Sequence, residues 1–182
     1  MQRRHRGFTL IELMVVVALG AILLMLAAPS FTNFLAKRRV EGVASELATD
    51  LQYARSEAVQ RNAVVRVIFG TSCYAIHVAG TTDATSCTSL GTGAVNVKTV
   101  QLTSATTVGL AFTSNNSKAF IEFDPVRGMA IDSTAADASG HIDVTSPSSS
   151  GNWQLRELVT KVGRIKTCSP NASMAGVSSD CT

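Results

Sequence analysis

The chain has 182 residues, of which 46% are hydrophobic and only 5% aromatic, so one domain with its own aliphatic core is expected. Its formal net charge is +3, and three arginines near the start, Arg3, Arg4 and Arg6, contribute to it. Without residues 1–7, Lys+Arg falls from 16 to 13 against 13 Asp+Glu. This balance excludes a uniformly basic nucleic-acid binder, and any contact with nucleic acid would be local.

The first predicted element is the apolar run in RGFTLIELMVVVALGAILLMLAAP, residues 6–29. From Phe8 to about Ala28 it has about 21 residues, long enough to span a bilayer as a helix with the arginine side in the cytoplasm. A secretory signal fits poorly, because Pro29 would follow the cleavage site and Glu12 lies inside the run. A carboxylate in that position costs about 2.5–3.5 kcal/mol on insertion scales.

The same residues resemble the class III leader of type IV pilins and pseudopilins, in which a short basic leader ends in Gly and Phe-Thr-Leu-Ile-Glu follows. The resemblance implies that a prepilin peptidase cleaves between Gly7 and Phe8 and methylates the new amino terminus at Phe8. Many members also carry a helix-kinking proline where Pro29 stands. The charge at Glu12 then has a role, because it can neutralise the Phe8 amine of a neighbour when helices pack into a filament. A Glu12 that merely snorkels to the interface is the alternative.

A helical period continues beyond Pro29 and predicts one long helix over residues 8–62. Apolar residues at three- and four-residue steps predict a stripe that packs on a globular head: Val40, Val43, Leu47, Leu51, Ala54 and Ala58. The segment LATDLQYARSEAVQR, residues 47–61, resembles the GspH/FimT branch, which holds minor pilins and the minor pseudopilins of type II secretion. Good helix composition alone is the alternative interpretation of that segment.

After residue 62 the period changes to two, which predicts short strands separated by Gly, Ser, Asn and Thr clusters. The runs are AVVRVIF, YAIHVA, VNVKTVQL, TVGLAF, AFIEFD, GMAID, HIDVT and WQLRELVT. A long helix followed by strands predicts an α+β fold with antiparallel sheets packed on the amphipathic half-helix, the type IV pilin fold by resemblance. The expected organisation is a cleaved leader 1–7, a helix 8–62 that is transmembrane over about 8–28, and a head 63–182.

The cysteines Cys73, Cys87, Cys168 and Cys181 form no CxxC pair, and the three histidines are scattered, so no metal site is expected. Three disulfide connectivities are possible. The local pairs Cys73–Cys87 and Cys168–Cys181 are favoured because each closes a short polar loop. Disulfides would place the head outside the cytoplasm.

Catalytic residues are not indicated by the sequence. The acids of the head and His141 fall in turns and strand ends without motif spacing: Asp124, Asp132, Asp137 and Asp143. No Walker-type phosphate loop is present. We therefore expect neither enzyme activity nor a cofactor.

The C-terminal stretch LRELVTKVGRIKTC brings four basic residues close together in sequence: Arg156, Lys161, Arg164 and Lys166. If KVGRIKT is a strand, Arg164 and Lys166 point to one face, with a spacing suited to phosphates. The motif resembles the Gly-Arg-x-Arg signature of the DNA-binding FimT-type minor pilins of natural transformation, but Lys166 lacks the bidentate geometry of arginine. An edge strand protected from pairing by basic side chains is the alternative.

The resemblances together imply a minor type IV pilin, anchored in the bacterial inner membrane with a periplasmic head until it joins major and minor pilins in a filament. They also imply weak, salt-sensitive contact with the phosphates of double-stranded DNA during uptake. The alternative is a minor pseudopilin of a type II secretion system.

Overall fold

The computed structural model describes residues 8–102, 108–131, 136–147, 151–171 and 174–181, without the side chains of residues 26–30. Helix α1 comprises Leu10–Arg61, close to the predicted range. The chain divides into two compact units, residues 1–35 and 36–182, and α1 contributes to both. The expectations for Gly7, the Pro29 side chain and Asp132 lie outside the described residues.

In the described part of the second unit, α1 is followed by eight strands in two four-stranded antiparallel sheets. One sheet has the order β3-β2-β1-β5, and the other has the order β4-β6-β7-β8. The strands are β1 Val65–Phe69, β2 Cys73–Val78, β3 Val95–Gln101, β4 Gly109–Ser114, β5 Phe120–Phe123, β6 Gly140–Thr145, β7 Gln154–Val159 and β8 Ile165–Cys168.

The core forms where the second half of α1 meets both sheets. Of the predicted stripe, Val43 is half-buried, and the other members are at most 1% exposed: Val40, Leu47, Leu51, Ala54 and Ala58. They pack in one cluster with Ile76 of the first sheet and Ile142 of the second. Each fully buried Val, Leu or Ile side chain contributes about 1.5–3 kcal/mol, and each alanine contributes less. The prediction of an α+β fold with a helix packed on antiparallel sheets is confirmed.

A buried polar contact also ties α1 to the first sheet. Tyr74 donates its hydroxyl to Asp50 Oδ2 at 2.7 Å, and Lys98 Nζ lies 2.8 and 2.7 Å from the two Asp50 oxygens. Burial, together with the hydrogen bond to Asp50, raises the pKa of the Tyr74 hydroxyl. Because both groups are buried, removal of Asp50 would leave the Tyr74 hydroxyl without its partner, whereas removal of the hydroxyl would leave Asp50 paired with Lys98.

Two predicted strands differ from the structure. In GMAID, residues 128–131 contain no strand but one isolated bridge, Ile131 to Asp137, and the Ala130 amide donates to the Lys161 carbonyl at 2.9 Å. In KVGRIKT, residues 161–164 form a turn, and β8 begins at Ile165. Both segments are committed to turns that pack against each other, so their backbone groups are not available to a sheet.

Both disulfides join cysteines that are near in sequence. Cys73 is bonded to Cys87 and Cys168 to Cys181, with Cα–Cα distances of 6.3 and 5.5 Å. These are the two local pairs favoured from the sequence. The first bond holds the loop after β2 against a small apolar cluster that includes Ile68 and Phe120.

Candidate functional site

The amino-terminal end of α1 carries the residues predicted for processing and assembly. Phe8 is 82% exposed and precedes the helix, and Glu12 is exposed in its first turn. Thr9 caps the helix, because its Oγ1 accepts the Glu12 amide at 3.3 Å. The pattern Thr-x-x-Glu is that of a capping box, a signal the sequence interpretation missed. Glu12 is therefore well placed for a local role as well as an intermolecular one.

The rest of this first unit presents apolar side chains on its surface. Exposed residues include Leu10, Ile11, Leu13, Met14, Val16, Val17, Leu23, Leu24 and Met25. They lie on every face of the helix, whereas a helix packed on a head shows a single apolar stripe. Such a surface is typical of segments that are covered by lipid or other helices. Among the described residues, none belongs to a helix that combines the length and the apolar character needed to cross a membrane.

Two of the four predicted basic residues are engaged by carboxylates. Arg156 makes a bidentate contact with Asp143, with Nε–Oδ1 2.7 Å and Nη2–Oδ2 2.8 Å, fixed by the register of β6 and β7. The hydrogen bonds that Arg156 donates to Asp143 raise the pKa of the guanidinium. Lys166 Nζ lies 3.4 Å from Asp180 Oδ2 in the C-terminal tail. Arg156 is therefore held in the sheet, and Lys166 is partly neutralised by the tail.

Lys161 and Arg164 have a different environment, since both are exposed in the turn between β7 and β8. The turn is closed by Thr160, whose amide donates to the Arg164 carbonyl at 2.9 Å, and whose Oγ1 accepts the Arg164 amide at 3.2 Å. The Arg164 side chain lies beside α1, where it lines a groove of about 690 Å³. Lys161 and Arg164 are thus the two predicted basic residues that the fold leaves exposed, and Arg164 also lines the groove.

The acids considered for catalysis serve other contacts. Asp124 Oδ2 accepts the amides of Val126 and Arg127 at 3.1 and 2.8 Å, and Asp137 Oδ1 accepts the Ser139 amide at 2.9 Å. His141 lies next to the Asp143–Arg156 pair, and partial burial lowers its pKa. In the described parts of the chain, no group of three or more potential ligands is placed to hold a metal ion.

Comparison with protein families gives two matches, which together cover most of the chain. The family described as Type II transport protein GspH matches residues 43–162, more than half of the chain, from the second half of α1 to the β7–β8 turn. The chain belongs to the GspH family. A second match, to the prokaryotic N-terminal methylation motif, covers residues 2–28.

The chain is also similar to type IV pilins, over a short segment in sequence and over most of its length in fold. Type IV major fimbrial proteins FimA of Dichelobacter nodosus are 48% identical over 46 residues, which is 25% of this chain and 29% or 30% of theirs. The type IV minor pilin FimU of Pseudomonas aeruginosa shares the fold, with a TM-score of 0.52 and 16% identity over 73% of this chain and 90% of that chain. The GspH-family chain therefore has the type IV pilin fold and a pilin-like amino-terminal motif.

Proposed function

We propose that this GspH-family protein is a minor type IV pilin. In this proposal the leader 1–7 is removed, Phe8 becomes a methylated amino terminus, and the segment of about 8–28 anchors the protein in the inner membrane with the head in the periplasm. The observation that carries the proposal is the exposure of apolar side chains on every face of α1 in the first unit. The only acid in residues 8–35 is Glu12, five positions after Gly7. Lipid covers these faces before assembly, and other pilins cover them in the filament.

The chemical state of the amino terminus tests this proposal. Protein purified from membranes of cells that express prepilin peptidase is expected to begin with N-methylated Phe8, as read by mass spectrometry of the terminal peptide. Cells that lack the peptidase provide the control and should retain residues 1–7. Membrane protein that still carries residues 1–7 in cells with active peptidase would overturn the proposal.

A pseudopilin of a type II secretion system is the second candidate, and the name of the matching family favours it. Both candidates require the same leader processing, so deletion of the gene separates them. Loss of surface filaments with intact protein export supports the pilin. Loss of export with intact filaments supports the pseudopilin.

We further propose that the head contacts the backbone of double-stranded DNA through the β7–β8 turn. The support is local: Lys161 and Arg164 are exposed in one turn, and no carboxylate partner of Arg164 is found in the described part of the chain. Contacts of this kind recognise phosphates and not base sequence, so binding is expected to weaken steeply with salt.

Binding of the full chain in non-ionic detergent to a short fluorescent duplex tests the DNA contact. We expect Arg164→Ala to weaken binding about three- to tenfold, since one phosphate contact is lost. Lys166→Ala should have a smaller effect because Lys166 already lies near Asp180. Arg39→Gln, which removes an exposed arginine from α1 elsewhere, is the matched control. Absence of binding by the wild type at low salt would refute the DNA role.

A further inference from the structure

The groove beside α1 gathers three arginines from distant segments of the chain. Arg55 belongs to α1, Arg127 to the connection after β5, and Arg164 to the β7–β8 turn. The remaining residues that line it in the described structure carry no charge: Gln52, Ser56, Val59, Gln60, Gly163 and Ile165. Three arginines line one groove that has no lining carboxylate in the described part of the chain, so the local potential is positive and attracts an anion.

Arg55 is fixed in place by the two turns. Its Nη1 donates to the Gly163 carbonyl at 3.1 Å. Gly128 and Gly163 have φ of 60° and 75°, and a Cβ on either would lie 3.0 or 3.1 Å from Arg55 Nε. A Cβ on Gly163 would also lie 2.2 Å from the Gly128 carbonyl oxygen. The two glycines thus allow both turns to close around the Arg55 side chain.

The same glycines determine where the other two arginines lie. Arg127 directly precedes Gly128, and Arg164 directly follows Gly163, so the packing of the turns brings both to the groove. The Arg127 backbone is held by Asp124, whose carboxylate accepts its amide at 2.8 Å. On the neighbouring turn of α1, Glu57 is paired with Arg61. Asp124 thus contacts the backbone of Arg127, and Glu57 contacts Arg61.

We infer that this groove binds a phosphodiester group of the DNA backbone, with Arg127 and Arg164 as its contacts and Arg55 as the residue that positions them. The inference rests on the DNA contact proposed above and identifies its site. Guanidinium groups bind phosphate oxygens with paired hydrogen bonds, which lysine cannot reproduce. The segment 163–166 contains only one arginine, Arg164. Arg127, which is distant in sequence, provides the second arginine of the groove.

The salt dependence of duplex binding by the full chain in non-ionic detergent tests this assignment. Arg127→Gln is expected to weaken binding about three- to tenfold and to reduce the slope of log K against log salt by about 0.9, because one phosphate contact is lost. Arg55→Lys keeps the charge but loses the planar fork, so affinity should fall with an unchanged slope. The Arg39→Gln variant measures the effect of charge alone, and far-ultraviolet circular dichroism monitors folding.

A second readout separates this site from the DNA role. Sodium phosphate should shift the Arg Nε–Hε NMR signals of the wild type and leave those of Arg127→Gln unshifted. If the wild type binds no duplex but shows this shift, the DNA role fails and the phosphate site stands. If duplex binding is intact and Arg127→Gln behaves like Arg39→Gln, the groove assignment is overturned. It is also overturned if Arg127→Gln weakens binding only to phosphatidylglycerol vesicles and not to the duplex.

Discussion

Replacement of Glu12 by glutamine is expected to reduce incorporation into filaments by about a hundredfold or more, while leader cleavage continues. After cleavage, the Phe8 amine would lie among apolar helices in the filament, and Glu12 of a neighbour is its proposed partner. Removal of one member of a buried ion pair costs about 3–5 kcal/mol, because the other charge stays buried and unpaired. Each subunit that carries the substitution incurs this cost when it joins the filament.

Glutamine is the informative substitution because of the local role of Glu12. The backbone amide of Glu12 donates to Thr9 Oγ1, and this bond does not depend on the side chain at position 12. Glutamine also serves at the N3 position of a capping box, as glutamate does. Glu12→Gln therefore removes the charge and keeps the cap, whereas Thr9→Val removes the cap and keeps the charge. Glu46→Gln removes an exposed carboxylate from the head part of α1 and is the matched control.

The measurement is the ratio of protein in sheared filaments to protein in membranes, with the terminal peptide read by mass spectrometry. We expect loss from filaments for Glu12→Gln, and near wild-type incorporation for Thr9→Val and Glu46→Gln. Normal incorporation of Glu12→Gln would refute the pairing with Phe8. Equal loss in Thr9→Val would show that helix capping, and not charge, is what assembly requires.

A second large effect, on the free energy of unfolding, is expected at Glu157, whose carboxyl group lies on the core face of β7. It is fully buried, and its Oε2 accepts the Thr167 hydroxyl at 2.9 Å. Among the described residues no hydrogen-bond partner is found for Oε1. Burial raises the pKa of Glu157 from 4.5 to about 7. At neutral pH the fold therefore holds a carboxyl group whose ionisation it opposes.

Glu157→Gln is expected to raise the free energy of unfolding by about 3 kcal/mol at pH 8 and to leave it almost unchanged at pH 4. In the wild type the folded state keeps the Glu157 proton to higher pH than the unfolded chain does. The stability that protonated Glu157 contributes is thus fully present below about pH 4.5 and is lost as pH rises through about 7. Glutamine resembles the protonated acid and does not ionise, so this loss disappears.

Urea unfolding of the full chain in detergent between pH 4 and 8 measures this difference. The buried His77 has a pKa lowered by burial, and it contributes the opposite trend, with stability lost as pH falls. Since His77 is present in both proteins, its contribution cancels in the difference between them. Glu46→Gln loses an exposed contact with Lys98 at 3.8 Å and should show the same pH trend as the wild type. A constant offset between Glu157→Gln and wild type across the range would contradict the prediction.

Short-range patterns were sufficient for much of this architecture. The stripe from Val40 to Ala58 is a helical repeat, and the burial it predicted follows from which face of the helix is apolar. The two disulfides join cysteines only 14 and 13 positions apart, so loop closure favoured them. The pilin-like leader is likewise a local motif, in which Gly7, Phe8 and Glu12 lie within six consecutive residues.

Contact partners depended on packing instead. Charge in the sequence grouped Arg156 with Arg164, but the register of β6 and β7 places Asp143 against Arg156. The first four residues of the strand expected at KVGRIKT form a turn because Gly163 at positive φ packs on the Gly128 turn, and β8 begins only at Ile165. Strand periodicity records which face a side chain occupies, and it contains no information about which distant segment covers that face.

The groove beside α1 is the clearest case of a feature that depends on packing and not on local sequence. Arg55, Arg127 and Arg164 belong to a helix and two turns, and no sequence spacing relates them. Their convergence depends on two glycines whose missing Cβ atoms let the turns close around Arg55. The amino-acid order alone was enough for the helix, the strand-rich head and the N-terminal methylation motif, because each depends on neighbours in the chain. The groove with its three arginines arises only when the turns pack against α1, since it depends on neighbours in space.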